Sequence, residues 1–444
     1  MASLDEQGKG FYCEIDFLPE GASTEDGEQQ REEETSVQTE TVSFSQRKHP
    51  AVQWKFEVDS ANYFPLLASQ EMIYSVGSGG ELYAIDAKRG ILRWHWQADQ
   101  PHEKITTLPS VDQGVLAVYT SARSRFGLYE ATLSVLDTQT GQLLRSFPVP
   151  ALQSIGQCHL LTVHNGIAYL SGTDRNLPPS RPQSLCLALD LQTGRQAWSA
   201  DLEKYLGTTT PVIANAQVYL VTYDIQPGHP MVGFLHALDI QTGKEIWSHR
   251  FETHGIQEMI VRGTEIFVTG TRTEVIDALT GGTTWSLPNL NTFQDSPLTV
   301  NNELIYINYE QASASRKELE TTKSQEVLLA GGPLRAGKLI AIERASKQPR
   351  WVADLTHGRS IPTMPVLAGP AIYTTWEHLD SRGVVTHATL FALDARTGQE
   401  RWQFEAEHLS PPLVGEGMVF VRGQEGEKEY IYALSEDESF SHAG

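Results

Sequence analysis

The chain has 444 residues, 40% of them hydrophobic, and 55 acids against 34 Lys and Arg give a formal charge of −21. That apolar content can build a buried core; three cysteines exclude a disulfide scaffold, and no run reaches the roughly 18 apolar residues of a membrane-spanning helix. The acidic balance argues against phosphate-rich partners, so neither nucleic acid nor an anionic membrane surface is expected.

The charge is uneven along the chain. Residues 1–45 carry twelve acids against only Lys9 and Arg31. From 21 to 45 the large apolar residues are Val37, Val42 and Phe44 alone, too few to offset the entropy of ordering. Residues 1–45 are therefore expected to form a mostly disordered acidic tail, with the more apolar piece 10–18 as a segment that could dock or fray. The start, Met1-Ala-Ser-Leu-Asp5-Glu6, has neither a basic region nor an apolar core, and Cys13 follows Phe-Tyr rather than small residues. These features favour a cytoplasmic location.

Beyond the tail one phrase recurs. It reads LYAIDAKRGILRW from Leu82 to Trp94, and returns ending at Trp198, Trp247 and Trp402. Degraded copies end at Arg145, Trp285 and Trp351, and an eighth copy starts at Ile431. The anchors Asp86, Asp137, Asp190, Asp239, Asp277, Glu343, Asp394 and Ser435 stand close to 50 residues apart. That period suits a four-stranded propeller blade.

Each unit reads as four strands in order. Pro65, Pro211, Pro297 and Pro365 open an inner strand, and Tyr74, Tyr219, Tyr306 and Tyr373 lie on a second strand rich in β-branched and aromatic residues. The Leu-x-Ala-Leu-Asp run is the third strand. Asp-x-x-Thr-Gly is a turn in which the carboxylate accepts nearby backbone N–H groups, while Gly90, Gly141, Gly194, Gly243, Gly281 and Gly398 take a left-handed conformation. Trp then falls on an outer fourth strand. Ala stands two residues before the anchor in six of eight units, which predicts an indole packed over a small side chain, within a blade or between neighbours. Seven of nine tryptophans (Trp54, Trp94, Trp198, Trp247, Trp285, Trp351 and Trp402) occupy repeat positions, as a structural residue would.

The last unit has no room for its outer strand. The run Val52-Gln-Trp54-Lys-Phe56-Glu-Val58 supplies it from the other end of the chain. The expected fold is thus all-β: an eight-bladed β-propeller of four-stranded antiparallel blades over residues 46–437, closed by an N-terminal outer strand. Residues 438–444 form a short disordered end.

The Ala-x-Asp-x-x-Thr-Gly-x-x-x-Trp signature resembles the pyrroloquinoline-quinone-like (PQQ-like) repeat family over about residues 50–437. The family includes quinoprotein alcohol dehydrogenases, an outer-membrane barrel-assembly lipoprotein scaffold, and sensor-like domains of bacterial protein kinases. For the enzymes the resemblance implies an adjacent cysteine pair stacked on the quinone, a Trp floor, and Asp, Glu and Asn around calcium. Cys13, Cys158 and Cys186 are never adjacent, so bound PQQ and calcium are not expected, and no other cofactor is. Cys186 replaces a repeat Leu and reads as a small core residue. The histidines show no metal-ligand spacing, Gly77–Gly80 suits a hairpin rather than a phosphate loop, and no nucleophile elbow appears.

Long insertions at 121–131, 172–184, 223–233, 309–337 and 376–389 all fall on links between second and third strands, hence on one face. The longest could hold a short helix or a flap. Elaborated loops on a rigid scaffold are a usual place for binding. Just before the inner strands Tyr63, Thr107, Gln157, Thr209, His254, Glu258, Asp295 and Arg359 are expected to ring the central funnel on that face. They would hold a small polar ligand or ordered water. The leading expectation is a monomeric, non-enzymatic scaffold that binds a protein or peptide through the insertion-bearing face. A quinone- or sugar-dependent oxidoreductase using the funnel, and a ligand-sensing domain, are the alternatives.

Overall fold

In the computed structural model Thr39–Gly444 form one compact unit. The structure describes residues 41–42, 49–58, 64–77, 80–98, 103–153, 161–176, 184–202, 207–224, 231–252, 259–269, 273–287, 298–312, 335–357 and 360–436. The expected tail to residue 40, the docking segment 10–18, the end 438–444 and the middle of the longest insertion lie outside them.

The described residues contain strands and no helix, arranged as eight antiparallel blades. Blade one is Leu67–Ser69, Met72–Val76, Glu81–Asp86 and Leu92–Gln97, from the inside outward. The third strands of blades two to eight are Tyr129–Asp137, Ser184–Asp190, Val232–Asp239, Thr273–Asp277, Arg335–Glu343, Val385–Asp394 and Lys428–Ser435. Blade eight takes its outer strand, Ala51–Val58, from the start of the chain, with Trp54 opposite Ala433. Closure of the ring is as expected, and no sheet edge is left open between first and last blades. One pairing was not foreseen. Thr41–Val42, assigned above to the tail, lies parallel to the outer strand of blade six, Thr41 opposite Val352 and Val42 opposite Ala353. An outer strand presents a free row of N–H and C=O groups, which an extended segment can satisfy.

Apolar layers form between blades rather than in one central core. Leu133, Val135 and Tyr119 of blade two pack with Leu170, Leu187 and Leu189 of blade three. Equivalent layers join the other neighbours, including blade eight with blade one through Phe420, Ile431, Ile73 and Ile85.

The repeat turn explains both the Asp and the Gly. Asp137 Oδ1 accepts from the N–H groups of Gln139 and Thr140, at 3.0 and 2.8 Å, and from the Thr140 hydroxyl. These bonds hold its carboxyl below the usual range, the Thr140 hydroxyl first among them. Asp190, Asp239, Asp277 and Asp394 repeat the pattern. Gly141 closes the turn at φ 69°.

The Ala–Trp pairing operates on two levels. Trp94 stands opposite Ala84 within its blade, and its ring also covers Gly141 of the next blade. The same double contact recurs: Trp198 lies opposite Ala188 and over Gly243, and Trp351 opposite Ala341 and over Gly398. Two degraded units find substitutes. Blade two has Arg145 opposite Val135, so Phe147, two residues on and on the same face, covers Gly194 instead. In blade six Lys347 takes the left-handed position at φ 62°, and its ammonium sits 3.4 Å from the centroid of the Trp285 ring.

Candidate functional site

The two faces of the ring differ. Third and outer strands are joined by uniform short turns, such as 87–91, 191–195 and 395–399. Inner and second strands turn in two or three residues, often through positive φ, as at Asn165 (51°) and Gly166 (75°). The opposite face carries the irregular connections. Here Val115–Arg123 with Tyr129–Asp137, Ala371–Leu379 with Val385–Asp394, and Met418–Glu425 with Lys428–Ser435 project as extended hairpins. Blades one and five stay short, with second strands Met72–Val76 and Glu265–Thr269.

Much of what reads as insertion is therefore strand. Residues 121–123 pair with 129–131, and Trp376 pairs with Thr389. Tyr309 to Ala312 pair with Lys338 to Arg335, so the blade-six insertion begins as a ladder. Links between blades add a further rung on the inner edge, as with Lys104 opposite Ser121, Gly207 opposite Tyr223 and Ser360 opposite His378.

Of the eight expected funnel residues, Tyr63, Gln157, His254, Glu258, Asp295 and Arg359 lie outside the described residues. Thr107 and Thr209 are buried. Thr209 N donates to Val221 O, and its Oγ1 accepts from Val221 N, both at 2.9 Å. The side chain thus replaces a backbone acceptor. Thr363 does the same with Thr375, and Ser410 with Arg422. Each stands two residues before a proline, Pro211, Pro365 or Pro412. These hydroxyls are spent on the second strand, and Thr107 has its Oγ1 within 3.4 Å of Leu108 O.

The sequence reading missed a polar belt one layer deeper. In five blades, two, three, six, seven and eight, the side chain two residues beyond the aromatic position of the second strand reaches into the next blade. Tyr119 Oη donates to Pro150 O (3.0 Å) and accepts from Leu152 N, and burial pushes its phenol up to about 12. Ser171 donates to Thr209 O, Asn308 to Thr363 O, and Thr375 to Ser410 O. Arg422 donates to Val76 O (3.1 Å) across the closing seam. It also pairs with Glu429 at 2.8 Å. Burial lowers the guanidinium and raises the carboxyl. Polar residues inside otherwise apolar strands were the available signal.

Two histidine arrangements stand out. His236 links Thr222 Oγ1 (2.8 Å) to Glu245 Oε2 (2.7 Å). This resembles a nucleophile–base–acid series, but Thr222 is fully buried, so no substrate carbonyl reaches its hydroxyl. The series ties neighbouring strands of blade four. His378 and His387 stack across the blade-seven hairpin, centroids 4.1 Å apart and planes within 5°. Burial, with the neighbouring His387, lowers the His378 imidazole to about 4.

The thiol chemistry of the quinone enzymes is not matched. Cys186 is fully buried between blades three and four, and burial raises its pKa far above the usual thiol range. The chain contains no adjacent cysteines. Among the described residues no group of three or more His, Cys, Asp or Glu is placed to hold a metal ion.

A closed ring of eight blades, five of them carrying this Asp–Gly turn under a neighbour's indole, defines a β-propeller of PQQ-like repeats. The chain belongs to the family described as outer membrane protein assembly factor BamB, whose model matches residues 37–163, 183–375 and 335–439. BamB from Moraxella catarrhalis shares the fold at 15% identity and a TM-score of 0.56, over 86% of this chain and 99% of that one. Quinohemoprotein alcohol dehydrogenase ADHIIG from Pseudomonas putida HK5 does so at 13% identity and a TM-score of 0.58, over 87% and 76%. A europium-containing methanol dehydrogenase does so at 13% and 0.56, over 85% of each chain. At such identities the likeness is one of fold. No curated protein matches the chain.

Proposed function

We propose that this protein is a non-enzymatic, monomeric scaffold that binds a protein or peptide partner through its hairpin-bearing face, without a bound cofactor. The observation that carries this reading is the asymmetry between the faces. One holds only short turns, and the other presents projecting hairpins on a rigid ring. Rigid scaffolds place their binding residues on such loops. Membership of a family described by an assembly factor supports the same reading.

The test is partner capture by two forms of the protein, intact and with residues 313–334 replaced by a two-residue turn. This cut spares the paired rungs at 309–312 and 335–338. Loss of the partner supports the face, and unchanged recovery counts against it. The dehydrogenase neighbours motivate one further assay. Incubation with quinone and calcium, followed by dye reduction, should give no turnover; sustained turnover would replace the scaffold reading with an oxidoreductase.

A further inference from the structure

We propose that the blade-two hairpin tip is a docking surface for an acidic, aliphatic-bearing peptide segment of a protein partner. This rests on the scaffold reading above and names the chemistry its partner would carry.

The tip is a tight, defined turn. Ser124 N donates to Leu128 O and Gly127 N to Ser124 O, with Gly127 at φ 82°. It presents Phe126 at 85% exposure and Leu128 at 57%. The two lie two residues apart on one turn, so their exposed surfaces form a local apolar patch rather than isolated side chains. Beneath the tip, Arg175 of blade three lies 4.8 Å from the Tyr129 ring centroid and Arg123 lies 5.9 Å from it. Asn176 bonds the Tyr129 backbone in both directions, at 3.0 and 3.2 Å. The hairpin is therefore fastened to its neighbour before any ligand arrives, which lowers the ordering cost of binding.

The charge is the second observation. Arg123 and Arg175 meet at the Tyr129 ring, and Arg125 stands in the turn itself, on a chain whose formal charge is −21. Among the described residues none of the three guanidinium groups forms an ion pair or side-chain hydrogen bond, and Arg175 Nε is buried without a partner. The nearby acids are Glu103, Asp174 and Glu130. Glu103 accepts from the Thr120 hydroxyl and Asp174 from Asn176 N. Glu130 lies opposite Ala122. Unpaired arginines beside an exposed aromatic are the composition of a binding hot spot. Guanidinium groups select carboxylates, and Phe126 with Leu128 selects an aliphatic side chain between them.

The experiment titrates the full chain with three labelled synthetic peptides: alternating Glu and Leu, alternating Lys and Leu, and alternating Glu and Ser. The Glu–Leu peptide should bind at least tenfold more tightly than the other two, and weaken as salt shortens the screening length. Phe126→Ser with Arg123→Ala and Arg125→Ala should lose at least tenfold in affinity at unchanged melting temperature. Arg123→Glu with Arg125→Glu should turn the preference toward the Lys–Leu peptide, which a merely structural tip would not do. Equal binding of all three peptides, no binding, or indifference to the variants overturns the proposal. Partner capture separates this failure from that of the scaffold reading. A tip variant that still captures a partner lost on removal of residues 313–334 overturns the tip alone, whereas capture indifferent to both changes overturns both.

Discussion

Trp94 and Gly141 form the joint between blades one and two. The indole Nε1 donates to Thr138 O at 2.9 Å, and a Cβ on Gly141 would lie 2.6 Å from ring atoms of Trp94. Tyr74 Oη donates to the same carbonyl at 3.3 Å, so one acceptor takes two donors from the preceding blade. Tyr219 with Trp247 at Ala278 O, and Tyr306 with Trp351 at Ala395 O, repeat this arrangement. The ring is a series of such joints.

Gly141→Ala should therefore destabilise the protein by about 2–4 kcal/mol. It combines a left-handed backbone with overpacking against the indole. Trp94→Ala should cost about 3–5 kcal/mol. Urea unfolding of both single variants and the double variant measures this. The double should fall well short of the sum, because the two changes damage one contact.

Removal of residues 1–45 should shift the melting temperature by no more than a degree or two, since among the described residues it removes a pairing of two residues, Thr41–Val42. Removal of residues 1–60 deletes the outer strand of blade eight and the Trp54 bond to Ala87 O. Thermal melting should then show a large drop or a loss of cooperativity. Similar curves for the two truncations would contradict closure by this strand.

Arg422→Met should destabilise by about 3–5 kcal/mol, because it leaves the largely shielded Glu429 carboxyl without its cation and breaks the bond to Val76 O. Adding Glu429→Gln should recover part of this loss. Denaturant midpoints of the two variants test the order.

The stacked histidines give a pH dependence of definite sign. The folded-state pKa of His378, about 4, lies below the unfolded value of about 6.5. The unfolded chain binds the proton more readily. Stability is complete above about pH 6.5 and declines as pH falls toward 4. The site is only partly shielded from solvent, so the loss should be about 1 kcal/mol. His378→Gln should flatten unfolding free energy measured between pH 7 and pH 5; an unchanged slope would assign it elsewhere.

Legibility differed sharply between parts of the molecule. The Asp137–Gly141 turn, the Trp54 closing strand and the buried Cys186 could all be read from residue type and spacing, because each depends on contacts within one repeat or on a repeat counted out of register. Phe147 standing in for a missing indole could not, since its partner Gly194 belongs to the next repeat. Thr209 looked like a funnel residue from its place before an inner strand. Its hydroxyl proved to face the second strand at Val221, a direction set by how the link folds back.

The sequence by itself determined the number of blades, the order of strands and the way the ring closes. A 50-residue period with a turn mechanism at each anchor admits little else. Only the tertiary structure decided which polar side chains cross between blades, and that the insertions rise as hairpins before they become loops. It also brought Arg175 of one repeat over Tyr129 of another. These depend on pairing residues whose spacing in the chain varies with every insertion, and on neighbours that meet only when the ring is complete.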